Sequence, residues 1–276
     1  MTDNGRAGGT HRRITRVGLI GSGSIGEPII EALHHGRVPG CKLGGILTLL
    51  ELPEEVAGSA ASSVFDLIER SDLVIEAAGH EALRRFGPPV VESGTDLLVL
   101  SVGALVDDAL YEELTKDGGG RLLISTGAIG GLDTLLAAML VEPLGSVTLT
   151  SRKPSSVLIR PWMDPTLQQQ LSEGAAEVEA FNGPAREAVT RFPESANIAA
   201  TLSLATIGFD RVQVRMVGVP DATDVEHRVT ANGKAGDYEF VFRNRTAEEN
   251  PKTSAIAPYS VIRALRRIQA RTIVGI

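Results

Sequence analysis

Over its first half the chain alternates short apolar runs with stretches of helical period. Runs at residues 16–20, 42–50, 73–77, 96–101 and 121–125 predict strands, and residues 25–35, 63–70, 81–92 and 107–116 predict helices, with glycines punctuating several element ends. Strand and helix in strict alternation is the pattern of a parallel sheet wrapped by helices. Beyond residue 127 the pattern changes. After a helix at 132–140, runs at 146–152, 209–217, 223–231 and 236–243 read as strands with no βαβ helices between them. Helices at 184–190 and 196–207 are expected to cover this second sheet, and a last helix at 256–269 carries apolar residues at helical spacing.

The first strand runs straight into Gly21-Ser22-Gly23-Ser24-Ile25-Gly26 and then into a helix. Each glycine has a physical task in such a turn. Gly21 permits the tight bend, Gly23 lets backbone approach a pyrophosphate, and Gly26 lets the helix pack on its strand. Phosphate would sit at the helix N-terminus, where free N–H groups and the positive end of the dipole favour an anion. The turn residues Gly21, Gly23, Ser24, Ile25 and Gly26 are therefore expected to hold a dinucleotide.

The fold class that follows is α/β: an N-terminal Rossmann-type parallel sheet with a second α+β domain on a mainly antiparallel sheet. The expected organisation is a disordered tail at 1–14, a dinucleotide-binding domain at 15–127, an α+β substrate and dimerisation domain at 128–250, and a segment at 251–276 whose helix packs back on the first domain.

In such a fold the end of the second strand selects the coenzyme, because an acid there bonds the ribose 2′-hydroxyl whereas a cation accommodates a 2′-phosphate. Glu51 follows the predicted second strand, and no Lys or Arg occurs between Lys42 and Arg70. This favours NAD with Glu51 as ribose ligand, and leaves NADP as the alternative.

A net charge of −7 argues against nucleic acid or an anionic membrane as partner, since either would need a basic face. Cys41 is the single cysteine, so neither an intrachain disulfide nor a cysteine-based zinc site is expected, and no metal site is foreseen. The first fifteen residues lack the apolar core of a signal peptide and no later apolar run is long enough to span a bilayer, which predicts a cytoplasmic protein.

Histidine is the commonest acid or base near neutral pH. His11 falls in the tail and His34 and His35 close the first helix. His80 follows a strand where cofactor could pass, and His227 lies in a predicted strand of the second domain. Composition leaves His227 as either a catalytic group or a satisfied histidine on a sheet face.

Several unusual strings occur together in the second half: Ser125-Thr126-Gly127-Ala128-Ile129-Gly130-Gly131-Leu132-Asp133, Thr148-Leu149-Thr150-Ser151-Arg152-Lys153-Pro154, Phe192-Pro193-Glu194-Ser195-Ala196-Asn197-Ile198-Ala199-Ala200-Thr201-Leu202 and Asn250-Pro251-Lys252-Thr253-Ser254. With the N-terminal glycines, and in a consistent order from Arg16 to Ile268, they resemble the L-aspartate dehydrogenase family. The resemblance implies NAD(P)-dependent oxidation of L-aspartate to iminoaspartate feeding NAD biosynthesis, or reductive amination of oxaloacetate with ammonia in reverse. It also implies a homodimer, His227 as catalytic residue, and Ala128 and Asn197 as cofactor contacts.

The chemistry of the residues is compatible. The amine must be neutral for its lone pair to push hydride out, and a positioned imidazole can take the ammonium proton or activate water for imine hydrolysis. The amide of Asn197 can donate and accept at once, which suits a carboxamide, although an Asn there also suits a helix cap. Two substrate carboxylates demand cations or N–H donors. Lys153 and Lys252 are candidates or ordinary surface lysines, and Thr253 and Ser254 either bond substrate or cap the final helix.

Three departures from the family pattern stand out. The second strand lacks the plain Asp of many NAD-specific relatives, Ser151 replaces a commoner Thr while keeping the hydroxyl, and Glu226 puts an extra acid beside His227. That neighbour is expected to favour imidazolium. Two competing readings remain: a related two-domain reductase acting on another amino or keto acid, such as dihydrodipicolinate, or a non-catalytic NAD-binding sensor. The second half shows no His-His pair with a nearby lysine, and His34-His35 lies in the other domain.

Overall fold

In the computed structural model, which describes residues 14–193, 196–247 and 250–274, with backbone alone for residues 247 and 250–253, the chain builds two sheets. The N-terminal tail of the sequence reading, His11 included, lies outside the described residues apart from Ile14.

The first half contains β1 (Thr15–Ile20), α1 (Gly26–His34), β2 (Cys41–Leu47), the short α2 (Glu54–Ala57), α3 (Val64–Glu69), β3 (Leu73–Glu76), α4 (His80–Glu92), β4 (Asp96–Val99), a 3-10 helix (Val102–Val106), α5 (Asp108–Leu114) and β5 (Leu122–Ile124). Its five strands are parallel throughout, in the order β2-β1-β3-β4-β5. Strands buried on both faces read as continuous apolar runs, and Leu73-Val74-Ile75-Glu76 is buried at all four positions. The last of these is a carboxylate, whose role belongs to the site.

Two predicted strands are shorter in the fold. The run at 42–50 ends at Leu47, and the run at 96–101 ends at Val99, after which the chain enters the 3-10 helix. Ser63 and Asp107 cap α3 and α5 by accepting hydrogen bonds from Asp66 N and Leu110 N, the usual way of satisfying a first-turn donor.

The second half comprises α6 (Leu132–Val141), β6 (Ser146–Pro154), a second 3-10 helix (Ser155–Leu158), α7 (Pro165–Glu173), β7 (Val178–Pro184), α8 (Ala185–Arg191), α9 (Asn197–Ala205), β8 (Gln213–Val219), β9 (Asp224–Gly233), β10 (Gly236–Ala247), β11 (Asn250–Ser254) and α10 (Ala257–Gln269). The sheet order is β11-β10-β9-β6-β8-β7. All neighbours are antiparallel except β6 and β8, which pair in parallel from Thr148–Gln213 to Pro154–Val219. The sheet is thus mixed: where the sequence pattern predicts strands with no βαβ helices between them, α7, β7, α8 and α9 form a crossover that brings β8 back parallel to β6.

Three of these elements carry no clear signal in the sequence. α7 buries only Leu171 and is held by its Asp164 cap and Pro165 start, so it lacks a periodic apolar face. β7 carries a register shift between Glu179 and Phe181 that breaks alternation, and β11 spans five residues with a proline. The predicted strand at 209–217 begins only at Gln213.

α10 is amphipathic, burying Val261, Ile262 and Leu265 against Ile29 and Leu33 of α1, so it shares the core on one face of the parallel sheet. Gln269 Nε2 donates to Thr15 Oγ1 at 2.6 Å and Arg266 Nη2 donates to Arg37 O at 2.7 Å. The other face of that sheet merges with the second sheet's core through α4, α8 and α9. Cys41 is buried in the α1 core and desolvation pushes its thiol up to about 11, which leaves it no nucleophilic role.

Candidate active site

The glycine turn meets the geometry its spacing requires. Gly21 adopts φ +98°, and a Cβ there would stand 2.8 Å from Ala77 O. A Cβ on Gly26 would run into the carbonyl of Gly21, so only glycine allows α1 to start this close to β1. At Gly23 a Cβ would meet nothing within 4 Å, which leaves that side of the turn open to a phosphate. Ser24 and Ile25 complete the turn, with Ile25 at the N-cap of α1. These features fit a dinucleotide pyrophosphate.

A cleft of about 860 Å³ runs from Gly23, Ser24 and Ile25 past His80 and Ser101 to Asn197. Its walls are organised by Glu76, which is fully buried at the end of β3. One carboxylate oxygen accepts from Ala78 N and Gly79 N, both at 2.8 Å, and from Ser101 Oγ at 2.9 Å; the other accepts from Ser101 N at 3.1 Å. Burial raises its pKa, opposed by these four donors. Glu76 therefore fixes the loop after β3 and the exit of β4 together. Sequence reasoning passed over it, although an acid ending an apolar strand before Ala-Ala-Gly was the available signal.

A smaller cavity of about 90 Å³ shares Ile25, Leu100 and Asn197 with the cleft, and Ala128, Lys153, His227 and Ser254 also line it. The fold brings these seven residues together from seven separate elements or loops. Strand register explains the innermost part: Ser151 of β6 pairs directly with His227 of β9, so both side chains project to one face. Ser151 Oγ lies 2.9 Å from His227 Nδ1, and both residues are at most 2 % exposed. Lys153, two residues along β6, projects to the same face and is also buried.

Desolvation depresses the His227 imidazole to about 3, and the neighbouring Lys153 charge adds to the effect. Desolvation likewise lowers Lys153 to about 8, with Arg160 contributing. Glu226 does not raise the imidazole as expected. Alternation along β9 turns it to the opposite face, where it pairs with Arg243 at 2.8 Å and Arg228 at 3.9 Å.

Asn197 is the first residue of α9 and does not cap it. Its Oδ1 accepts from Gly103 N at 2.9 Å and lies 3.3 Å from His80 Nε2, which ties α9 to the 3-10 helix after β4. Ser254 Oγ is buried with no hydrogen-bond partner among the described residues, and α10 has no side-chain cap, so the capping alternative for Ser254 does not hold. The side chains of Lys252 and Thr253 lie outside the described residues.

Glu51 stands apart from this assembly. It is exposed, four residues beyond the end of β2, and does not line the cavities at the glycine turn. The ground for preferring NAD also changes. A pocket of about 510 Å³ between the turn and the end of β2 is lined by Arg85, which arrives from α4 rather than from the strand. A cation absent from the sequence window is present in space.

Two family models match the chain: "Aspartate dehydrogenase, C-terminal" over residues 133–268 and "Homoserine dehydrogenase, NAD binding domain" over residues 21–118. The chain is 38% identical to the L-aspartate dehydrogenase of Pseudomonas aeruginosa, over 90% of this chain and 95% of that one. It is 36% identical to the L-aspartate dehydrogenase of Methanosarcina barkeri, over 94% and 99%. Among solved structures, the aspartate dehydrogenase of Thermotoga maritima superposes with a TM-score of 0.72 at 24% identity, covering 95% of this chain and 99% of that one, which shows a shared fold.

Proposed function

The chain belongs to the L-aspartate dehydrogenase family, and on that premise we propose that its NAD(P)-dependent dehydrogenase activity converts L-aspartate to iminoaspartate, and oxaloacetate with ammonia to aspartate in reverse, as a homodimer serving NAD biosynthesis. The observation that carries this reading is the meeting of His227, Lys153, Asn197, Ala128 and Ile25 around one buried cavity that adjoins the coenzyme cleft.

The nicotinamide coenzyme supplies the hydride acceptor. Gly21, Gly23, Ser24, Ile25 and Gly26 would hold its pyrophosphate. Ala128 and Asn197 would hold the nicotinamide end. Because the Asn197 oxygen is engaged by Gly103 N–H, its amide hydrogens are the groups left to meet a carboxamide oxygen.

His227 is neutral across the physiological range, since its pKa is depressed to about 3. In the tautomer whose Nδ1–H donates to Ser151 Oγ, 2.9 Å away, Nε2 carries the lone pair that accepts a proton from the substrate ammonium. Lys153 keeps its charge below about pH 8 and opposes a substrate carboxylate, and Ser254 Oγ offers a hydroxyl donor. Desolvation is the larger cause of the His227 depression, and a bound carboxylate would offset the smaller part that the Lys153 charge adds.

The test is direct. Purified protein with L-aspartate and oxidised coenzyme is expected to generate reduced coenzyme, read by its near-ultraviolet absorbance. His227→Ala is expected to lose most turnover while retaining coenzyme affinity. Turnover with another amino acid and none with aspartate would overturn the substrate assignment, and unchanged turnover in the variant would remove His227 from the mechanism.

A further inference from the structure

We propose that the pocket between the glycine turn and the end of β2 is built for a ribose 2′-phosphate, with Arg85 as its cation, so that this chain binds NADP(H) more tightly than NAD(H). The proposal rests on the dehydrogenase reading and adds to it the identity of the preferred coenzyme.

Position comes first. Ile20 of β1 pairs with Leu47 of β2, and Gly21 N donates to Leu47 O at 2.9 Å, so the turn and the end of β2 are locked side by side. With the pyrophosphate at Gly23, the adenosine ribose lies over this junction. Here the pocket of about 510 Å³ is lined by Ser22, Thr48, Leu49, Glu81, Arg85 and Phe86 among others.

The chemistry of the lining separates the two coenzymes. A ribose diol is recognised by a carboxylate at the strand end, and a 2′-phosphate by Arg with hydroxyl or N–H donors. The strand end holds no acid: Thr48 occupies the first position after Leu47, with Ser22 Oγ 2.8 Å from its Oγ1. Two hydroxyls that now bond one another can each turn a proton toward a phosphate oxygen. Glu81 is the pocket's one carboxylate, and it is engaged by Arg84 Nη1 at 3.0 Å.

Arg85 makes no ion pair among the described residues. Its guanidinium rests over the Phe86 ring at 5.0 Å, which leaves its planar N–H edge available for a phosphate. Leu49, fully exposed on the rim, offers an apolar surface for the adenine ring.

Coenzyme binding measured without substrate tests this. In fluorescence titrations of the full-length protein, NADPH is expected to bind at least about tenfold tighter than NADH, and in calorimetry 2′,5′-ADP is expected to bind more tightly than 5′-AMP, from which it differs only by the 2′-phosphate. Arg85→Ala is expected to weaken NADPH by about tenfold or more while NADH changes by less than about twofold. Thr48→Asp is expected to reverse the preference by supplying the carboxylate that bonds the diol and repels the phosphate. Circular dichroism of both variants reports folding.

Equal losses for both coenzymes in Arg85→Ala would mean that Arg85 stacks on the adenine and reads no phosphate, and the proposal would fall. A wild-type preference for NADH would also overturn it while leaving the dehydrogenase reading intact. Absence of binding by either coenzyme, with no aspartate turnover, would remove both.

Discussion

His227 and Lys153 line one buried cavity, where desolvation depresses both groups and the Lys153 charge adds to the effect on the imidazole. The imidazole falls from its ordinary 6.5 to about 3, so between those values the unfolded chain binds a proton that the folded chain does not. Stability from this group is complete above about pH 6.5 and is lost as pH falls through the window, by up to about 1.4 kcal/mol per pH unit. Urea melts of His227→Gln across that window are expected to show a shallower acid slope than wild type; identical slopes would assign the loss to other groups. For Lys153 the charged form exists in the free enzyme below about pH 8. The inhibition constant of succinate, a dicarboxylate without an amine, is therefore expected to rise as pH passes about 8, and Lys153→Met is expected to raise it about tenfold or more at lower pH and remove the dependence.

Elements decide which of these side chains meet. The period of two in β9 sends His227 inward and Glu226 outward, so adjacent residues in sequence work in different surroundings. Reading Glu226 as a neighbour of the imidazole failed because sequence proximity along a strand is separation across the sheet. At the C-terminus α10 lays Val261, Ile262 and Leu265 on the α1 face of the first sheet, with Leu265 completely buried. Leu265→Ala is expected to cost about 2–5 kcal/mol, measured as a lowered urea midpoint of the whole protein. A midpoint unchanged from wild type would mean that α10 adds nothing to the stability of the first sheet.

Across the whole molecule, the site exists only where the two sheets meet. Asn197 at the start of α9 accepts from Gly103 beyond β4, and Ser125 Oγ lies 2.9 Å from Ser260 Oγ of α10. Such ties set the distance between the glycine turn and His227, and with it the alignment on which hydride transfer depends. α6 leaves Leu136, Leu140 and Val141 exposed along one side, apolar surface of the kind a second subunit covers. Light scattering is expected to give twice the chain mass, and Leu140→Asp is expected to shift the population toward monomer if α6 forms that interface. A monomeric wild type would remove the proposed homodimer.

Strand and helix alternation, the glycine spacing and the strings around Ala128, Lys153, Asn197 and Asn250 are local or ordered patterns, and they carried the fold class and the family. α7, β7 and β11 stayed invisible because a polar helix, a bulged strand and a five-residue strand of polar sequence with a proline carry no apolar period. The tertiary structure alone decided the mixed pairing of β6 with β8, the place of Glu76 beneath two loops, and the arrival of Arg85 at the end of β2. Each depends on contacts between residues far apart in the chain. Sequence determined which chemical groups the protein owns; folding determined which of them share a cavity, because proximity in space is set by packing rather than by order along the chain.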